Sequence, residues 1–311
     1  MKRSVFIDGA VGTTGLEIRE RLAGRAEIEP VVLGEAERKD PAARRTALND
    51  ADFVILCLPD DAARESVALI ANDRTRVIDA STAHRTAEGW TYGFAELEPA
   101  QAETIAKSRY VTNPGCYPTG FLALIRPLVR AGLVPHDWPV SVNAVSGYSG
   151  GGRQMIEEFE GADGGKVPAW RGYATALAHK HVPEMQRHAR MEHPPIFTPS
   201  VANTYRGMVV EVPLPLFAMP RRPSLDACEE ALRAAYRDSA LVRVASAELP
   251  SVEIEADAGT DRLTLHVFGN RERGQARLVA TLDNLGKGAA GAAVQNLNIM
   301  AGFDPVAGLV L

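Results

Sequence analysis

The stretch Asn113-Pro114-Gly115-Cys116-Tyr117-Pro118-Thr119-Gly120 joins a nucleophile to a turn that can activate it. A strand-like run, Arg109 to Thr112, leads in, and the apolar Phe121-Leu122-Ala123-Leu124-Ile125 leads out. Pro114 and Gly115 turn the backbone, and Cys116 stands where a helix begins. Pro118 falls in the first helical turn, where a missing N–H costs nothing. A thiol in that position faces unsatisfied backbone N–H groups and the positive end of the helix dipole. Both favour the thiolate, which is the nucleophilic form. The same N–H groups can hold the oxyanion formed when a thiolate attacks a carbonyl. The competing reading of Cys116 as a small buried hydrophobe explains neither the Pro-Gly before it nor the helix start after it.

Two further groups carry polar chemistry. His179-Lys180-His181 and the nearby Glu184 place two imidazoles and a carboxylate within six residues. On an extended segment His179 and His181 point the same way. A metal site needs further ligands, and none accompanies them, so acid/base work is the reading to test and no metal is expected. Ser146-Gly147-Tyr148-Ser149-Gly150-Gly151-Gly152-Arg153 reads as a loop whose N–H groups and guanidinium can wrap an anion. Tyr173 lies between these groups in sequence.

The elements that position them follow from the pattern. Ser4 to Ile7 reads as a buried strand, followed by Gly9-Ala10-Val11-Gly12-Thr13-Thr14-Gly15 and an amphipathic run from Leu16 to Leu22. Strand, glycine turn and helix in that order suit a pyrophosphate at a helix N-terminus. Further strands are expected at 30–33, 52–59, 76–79 and 110–111, with a helix over 60–71 headed by Asp60 and Asp61. Alternating strands and helices predict a parallel sheet with right-handed crossovers and ligands at its carboxyl edge. The glycine loop, Leu58-Pro59, Ser81 and Cys116 follow strand ends and are expected to line one crevice. Cys57 reads as core packing and His84 as a surface loop residue. The ribose contact is two-sided. Glu35, about 20 residues after Gly15, would bind a 2′-hydroxyl, whereas Arg38, Lys39, Arg44 or Arg45, on an expected charged loop, would pair with a 2′-phosphate.

From Pro139 the alternation changes. A strand is expected over 140–145. One-sided apolar periodicity at Met208, Val210 and Val212, at Leu263, Leu265 and Val267, and from Ala276 to Leu282 predicts an antiparallel sheet covered by helices. A short helix is expected over 183–190, and another capped by Ser224 and running to Ala235, with Cys228 packed inside. Asn284-Leu285-Gly286-Lys287-Gly288 opens a last helix with an apolar stripe of Val294, Leu297 and Met300-Ala301. Its Gln295, Asn296 and Asn298 are expected near the crevice.

Composition limits the partners. The chain has 311 residues, 23% charged and 46% hydrophobic, with a formal net charge of −5, so neither nucleic acid nor an anionic membrane is attracted on average. Cys57, Cys116 and Cys228 are odd in number and widely spaced, which fits a reducing compartment and no disulfide framework. The first apolar stretch is broken by Asp8 and is too short for a signal peptide, and no run reaches the length of a membrane helix.

Taken together, the glycine block 9–15, the cysteine block 113–119, the blocks 146–153 and 179–184, and Asp283-Asn284-Leu285-Gly286-Lys287-Gly288 resemble the shorter form of the N-acetyl-gamma-glutamyl-phosphate reductases of arginine biosynthesis. The matches run in order over nearly the whole chain. The glycine block is shared with aspartate-semialdehyde dehydrogenases, and the histidine block argues against that alternative. The stretch after the second strand is shorter than in the longer relatives.

The resemblance implies an α/β fold: a Rossmann-like parallel-sheet domain, 1–115 plus 285–311, and an α+β substrate and oligomerisation domain, 116–284, with a mostly antiparallel sheet. It implies NADPH as cofactor, held by Gly9, Val11, Gly12, Thr13, Thr14, Gly15, Ser81 and Asn284. It makes Cys116 the nucleophile and His181 the acid/base, with Arg153, Tyr173, His179 and Glu184 in or near the substrate pocket. The implied reaction converts a small acyl phosphate to a semialdehyde through a cysteine thioester, in a cytoplasmic homo-oligomer, dimer or tetramer. A substrate one methylene longer, of aminoadipyl type, uses the same chemistry. A non-catalytic NADP-binding regulator on the same fold is the reading from a different class.

Overall fold

The computed structural model describes residues 2–161, 166–246 and 249–311. The chain forms two compact units, Met1–Gly115 with Ala289–Leu309, and Cys116–Gly288 with Val310–Leu311.

In the first unit the elements run β1 (Arg3–Asp8), α1 (Thr13–Leu22), β2 (Ile28–Val31), α2 (Pro41–Asp50), β3 (Phe53–Leu56), α3 (Asp60–Leu69), β4 (Arg76–Asp79), β5 (Thr91–Tyr92), α4 (Gln101–Lys107) and β6 (Tyr110–Thr112). The sheet order is β2-β1-β3-β4-β6-β5, and every pairing is parallel. Adjacent strand residues face opposite sides. Val5, Ile7, Ile55 and Ile78 pack into one core with Ile18, Leu22 and Ile105. Phe6, Val54, Leu56 and Val77 pack into another with Leu48 and Ala63. The sheet is thus covered on both faces, which explains why its strands are continuously apolar. Strand order reverses between β1 and β3, the point where a doubly wound sheet opens a ligand crevice.

The expected charged loop after β2 is partly a helix. The Asp40 side chain accepts a hydrogen bond from the Ala42 N–H, and Pro41 stands at the helix start. That Asp-Pro pair is an ordinary helix-opening signal. The strand before it begins two residues earlier than the apolar run indicated and ends at Val31, because it pairs with Arg3 to Phe6 of β1.

The second unit contains α5 (Cys116–Arg130), β7 (Ser141–Gly147), α6 (Gly152–Phe159), β8 (Trp170–Gly172), α7 (Val182–Ala189), β9 (Ile196–Ala202), β10 (Met208–Pro215), α8 (Leu225–Tyr236), β11 (Val242–Val244), β12 (Leu263–Asn270) and β13 (Gln275–Leu282). Its sheet runs β11-β12-β13-β10-β7-β9-β8. The β11–β12 and β7–β9 pairs are parallel and the others antiparallel. Tyr117 to Leu128 of α5 are all buried, and the helix packs against α7, α8, β10, β12 and β13. The Ser224 hydroxyl caps α8 by accepting from the Ala227 N–H at 3.1 Å.

A π-helical turn, Gly286–Ala290, leads into α9 (Gly291–Ala301), which belongs to the first unit. Leu285 to Gly288, expected to begin that return, stay with the second unit. Asp283 holds them there through bonds to the Leu285, Gly286 and Gly288 N–H groups. In place of a single apolar stripe, α9 is buried on every side from Gly291 to Met300. Its polar residues are internal ties. Asn296 donates to the Gly93 carbonyl and to Asn113 Oδ1, Asn298 to the Pro305 and Ala307 carbonyls, and Gln295 to Glu96. They stabilise the helix seat, so their expected place beside a crevice is not what their bonds describe.

Candidate active site

Cys116 is the first residue of α5 and is half-buried, with no acidic residue in the helix's first turn. The helix start favours a thiolate there. Cys57 and Cys228 are different. Burial, then the charges of Asp79 and Asp8, push the Cys57 thiol up to about 12. Burial alone pushes Cys228 up to about 11.

The residue after Cys116 gathers the rest of the cluster. Tyr117 is buried, and its phenol donates to the Ser200 carbonyl at 3.0 Å. Its ring meets His179, His181 and Phe197 edge-on, with centroids 6.1, 5.9 and 5.1 Å away. The Tyr173 phenol donates to Tyr117 Oη at 3.2 Å. Burial pushes Tyr173 up to about 12; the Tyr117 hydrogen bond works against that rise and the neighbouring Cys116 adds to it. Tyr117 is raised well above the ordinary phenol by burial, then by Tyr173 and Cys116. Both phenols are therefore neutral near pH 7 and act as donors. Tyr117 was not among the expected site residues, and the signal for it is its place directly after the nucleophile on an apolar helix.

His179 and His181 do not lie on an extended strand. They form a turn, with His181 in helical conformation at the N-cap of α7. The turn still brings the rings together, 4.7 Å between centroids. The His181 backbone N–H donates to His179 Nδ1 at 3.1 Å. In neutral His179 the proton then sits on Nε2, which makes that edge a donor. Glu184 is buried in the first turn of α7, which packs on α5.

Arg153 does not join the cluster. Gly150 and Gly151 lie in a short 3-10 turn that runs into α6, so the three glycines do not form an open anion loop. The Arg153 side chain is 89% exposed and pairs with Glu157 at 2.7 Å, one helical turn on. Asn284 is buried in the second unit, where it accepts from the Gly207 N–H and donates to Ser149 Oγ, each at 2.9 Å.

In the first unit the glycine loop closes the carboxyl end of β1. Gly9 has φ +88°, and a Cβ there would overlap the Cys57 carbonyl; one on Gly15 would overlap the Gly9 carbonyl. Those two glycines are required by the fold itself. A Cβ on Gly12 would meet only the Gly9 carbonyl at 3.5 Å, so the protein's own packing does not demand a glycine there. Val11 and Gly12 are exposed, Thr13 and Thr14 half-buried, and α1 has no side-chain cap. A cavity of about 270 Å³ adjoins the loop, lined by Gly9, Val11, Val32, Arg38, Lys39 and Arg44 among others. Glu35 does not line it; its carboxylate is 92% exposed and 3.4 Å from Arg38. Arg44 is already neutralised by Asp8 at 2.9 Å and bonds Ser66.

Ser81 is buried and tied to Asp79 through both its N–H and its hydroxyl. His84 shares that carboxylate, Nδ1 to Asp79 Oδ2 at 2.6 Å, and stacks on Trp90 at 4.1 Å. It is thus a mostly buried tie of the loop after β4 and not the surface residue its sequence context indicated. Among the described residues no three or more His, Cys, Asp or Glu side chains converge to hold a metal ion.

Residues 4–105 match the family model for the semialdehyde dehydrogenase NAD binding domain, and residues 116–284 that for the semialdehyde dehydrogenase dimerisation domain. An N-acetyl-gamma-glutamyl-phosphate reductase of Brucella ovis is 52% identical over 309 residues, covering 97% of this chain and 100% of that protein. One from Chelativorans sp. is 51% identical over 306 residues, covering 96% and 98%. The chain belongs to the N-acetyl-gamma-glutamyl-phosphate reductase family. As a member of this reductase family it is an enzyme, an oxidoreductase, and the reading as a non-catalytic regulator is set aside. In fold the reductase is similar to aspartate semialdehyde dehydrogenase II from Vibrio cholerae, with a TM-score of 0.71 at 16% identity, covering 97% of this chain and 99% of that one. It is also similar to the aspartate semialdehyde dehydrogenase with NADP from Candida albicans, with a TM-score of 0.68 at 15% identity and coverage of 97% and 99%.

Proposed function

We propose that this enzyme reduces N-acetyl-gamma-glutamyl phosphate with NADPH, releasing phosphate and N-acetylglutamate 5-semialdehyde, as a step of amino-acid biosynthesis. The observation that carries the chemistry is the gathering of Tyr173, His179 and His181 around Tyr117, the neighbour of Cys116 at the head of α5. The Cys116 thiolate attacks the acyl carbon, the helix-start N–H groups stabilise the oxyanion, and phosphate leaves with the electron pair of the broken C–O bond. A thioester remains. NADPH, when bound, supplies the hydride that reduces it. The resulting thiohemiacetal collapses to aldehyde and thiolate, with His181 handling the proton on oxygen. Tyr117, Phe197 and Tyr173 wall the cluster with aromatic surface, which protects a thioester from hydrolysis.

The residues of the first unit fit NADPH. The glycine loop, Gly9 to Gly15, and the uncapped start of α1 suit a pyrophosphate, and Gly12 leaves room for close approach. Arg38 and Lys39 on the adjoining cavity suit a ribose 2′-phosphate better than the outward Glu35 does. Ser81, held by Asp79, and Asn284, held by Gly207 and Ser149, are assigned to cofactor contacts in this reading. Tyr173, His179 and Glu184 are assigned to the substrate. A homo-oligomer is part of this reading. Exposed Trp170 and Leu177, on a cavity of about 670 Å³ formed with residues of β7, β9 and β10, offer it an apolar face. A reactive thiolate suits the reducing cytoplasm.

The test is phosphate-dependent reduction of NADP⁺ with a panel of semialdehydes. Turnover highest with N-acetylglutamate 5-semialdehyde is expected. A preference for aspartate semialdehyde or an aminoadipate semialdehyde would overturn the substrate assignment.

A further inference from the structure

We propose that the turn Asp283–Gly288 is a backstop that sets the position of Cys116, and that Asp283 and Gly288 are positioning residues for the reaction. The inference rests on the thioester reading above. Asp283 is fully buried. Its Oδ1 accepts from the Leu285 and Gly286 N–H groups at 2.7 and 3.2 Å, and its Oδ2 from the Gly259 N–H at 2.6 Å. Arg206 approaches Oδ2 at 3.5 Å. The Asp283 carbonyl accepts from the Gly288 N–H at 3.0 Å. One residue therefore ties the turn at three of its positions and anchors it to the loop at Gly259. A carboxylate that meets three backbone donors and a guanidinium is matched to acceptors alone, which an amide cannot supply.

The far end of the turn lies against the nucleophile. A Cβ on Gly288 would sit 2.9 Å from Cys116 Cβ, closer than side chains tolerate, and 3.0 Å from the Asp283 carbonyl oxygen. The near end cannot retreat, because a Cβ on Gly286 would overlap the Thr260 carbonyl. Asp261, in that same loop, is buried and bonded to Val310 in both directions, its N–H to the Val310 carbonyl at 2.7 Å and its Oδ2 to the Val310 N–H at 2.9 Å. The backbone of 283–288 is thus wedged between a braced loop and Cys116. Movement of this turn is passed to the thiol, and a displacement of about 1 Å at a reacting group can cost about a hundredfold in rate.

The experiment compares Gly288→Ala, Asp283→Asn and Cys116→Ser with the wild-type enzyme. It reads kcat and KM for semialdehyde in phosphate-dependent reduction of NADP⁺, the pH dependence of Cys116 alkylation by iodoacetamide, and thermal melting. Gly288→Ala is expected to lower kcat by about tenfold to a hundredfold and to displace the alkylation profile along pH. Asp283→Asn should move the same two quantities in the same direction. If either variant fails to fold, Arg206→Gln, which removes only the outermost partner of Asp283, replaces it and is expected to give the same pattern at smaller amplitude. Wild-type kcat and alkylation profile in the folded variants, with Cys116→Ser inactive, overturn the backstop alone. Turnover by Cys116→Ser overturns the thioester reading beneath it.

Discussion

The Tyr173 phenol donates to the Tyr117 phenol at 3.2 Å, and Tyr117 donates onward to the Ser200 carbonyl at 3.0 Å. The relay fastens the segment after β8 to the first turn of α5 and to β9. It also orders the two rings by role. Tyr117 is a buried link with a partner on each side, whereas Tyr173 is half-buried and ends the relay.

Tyr117→Phe should therefore damage both fold and activity. It leaves the Ser200 carbonyl and the Tyr173 hydroxyl without their partner, a cost of about 1–3 kcal/mol for a buried group. Tyr173→Phe removes only the terminal donor, at about 0.5–1.5 kcal/mol. Melting temperatures of the two variants check this. A larger loss in Tyr173→Phe would mean that the relay does not support the cluster.

The three thiols should react in a fixed order. With Cys57 pushed up to about 12 and Cys228 to about 11, both remain protonated and unreactive near pH 8. Cys116, at a helix start, should take up iodoacetamide first, with loss of turnover while NADPH binding persists. Mass spectrometry after limited alkylation identifies the site. Full activity with Cys116 completely modified would remove the nucleophile from the proposal.

The cavity beside the glycine loop takes Arg38, Lys39 and Arg44 into its wall and leaves Glu35 outside. Arg38→Gln and Lys39→Gln should each weaken NADPH by about ten- to a hundredfold, the worth of a charge-assisted contact of about 1.5–3 kcal/mol. NADH should be little affected. Glu35→Gln should change neither, since that carboxylate points outward. Arg44→Ala should instead lower the melting temperature, because it leaves the buried Asp8 carboxylate without its cation. Equal kinetics with NADH and NADPH in the wild type would return the decision to Glu35.

Much of this was legible in the chain. Strands buried on both faces announced themselves as apolar runs, and the alternation of β10 marked one buried face, whereas β12 and β13, expected to be one-sided as well, are buried on both faces over much of their length. What local pattern could not give was partnership across the chain. His84 lies in a polar loop, and only folding shows the Asp79 carboxylate and the Trp90 ring that bury it. Arg153 stands next to three glycines that looked like an anion loop, yet Gly150 and Gly151 lie in a 3-10 turn and the guanidinium meets Glu157. Gly288 reads as one more loop glycine until its neighbour, Cys116, appears 172 residues away, the difference of the two numbers.

The histidine turn makes the last prediction sharper than spacing alone allowed. Because His179 Nδ1 accepts the His181 N–H, the neutral ring offers only an Nε2–H donor to whatever faces it. A donor of that kind binds a carbonyl or carboxylate in ground and transition state alike, and cannot take a proton through that edge. His179→Gln should therefore raise KM and leave kcat nearly unchanged. His181 bears the general acid/base role, which contributes about 10²–10⁴-fold in rate. His181→Asn should lower kcat within that range and flatten the limb of the pH–rate profile that imidazole titration produces. Steady-state kinetics of both variants across pH, with folding checked by circular dichroism, decide the matter. A large kcat loss in His179→Gln with His181→Asn unaffected would reverse the roles. If neither variant loses kcat, the proton on the collapsing oxygen must come from another donor, and the neutral phenol of Tyr173, already beside Cys116 in its electrostatics, is the next group to remove.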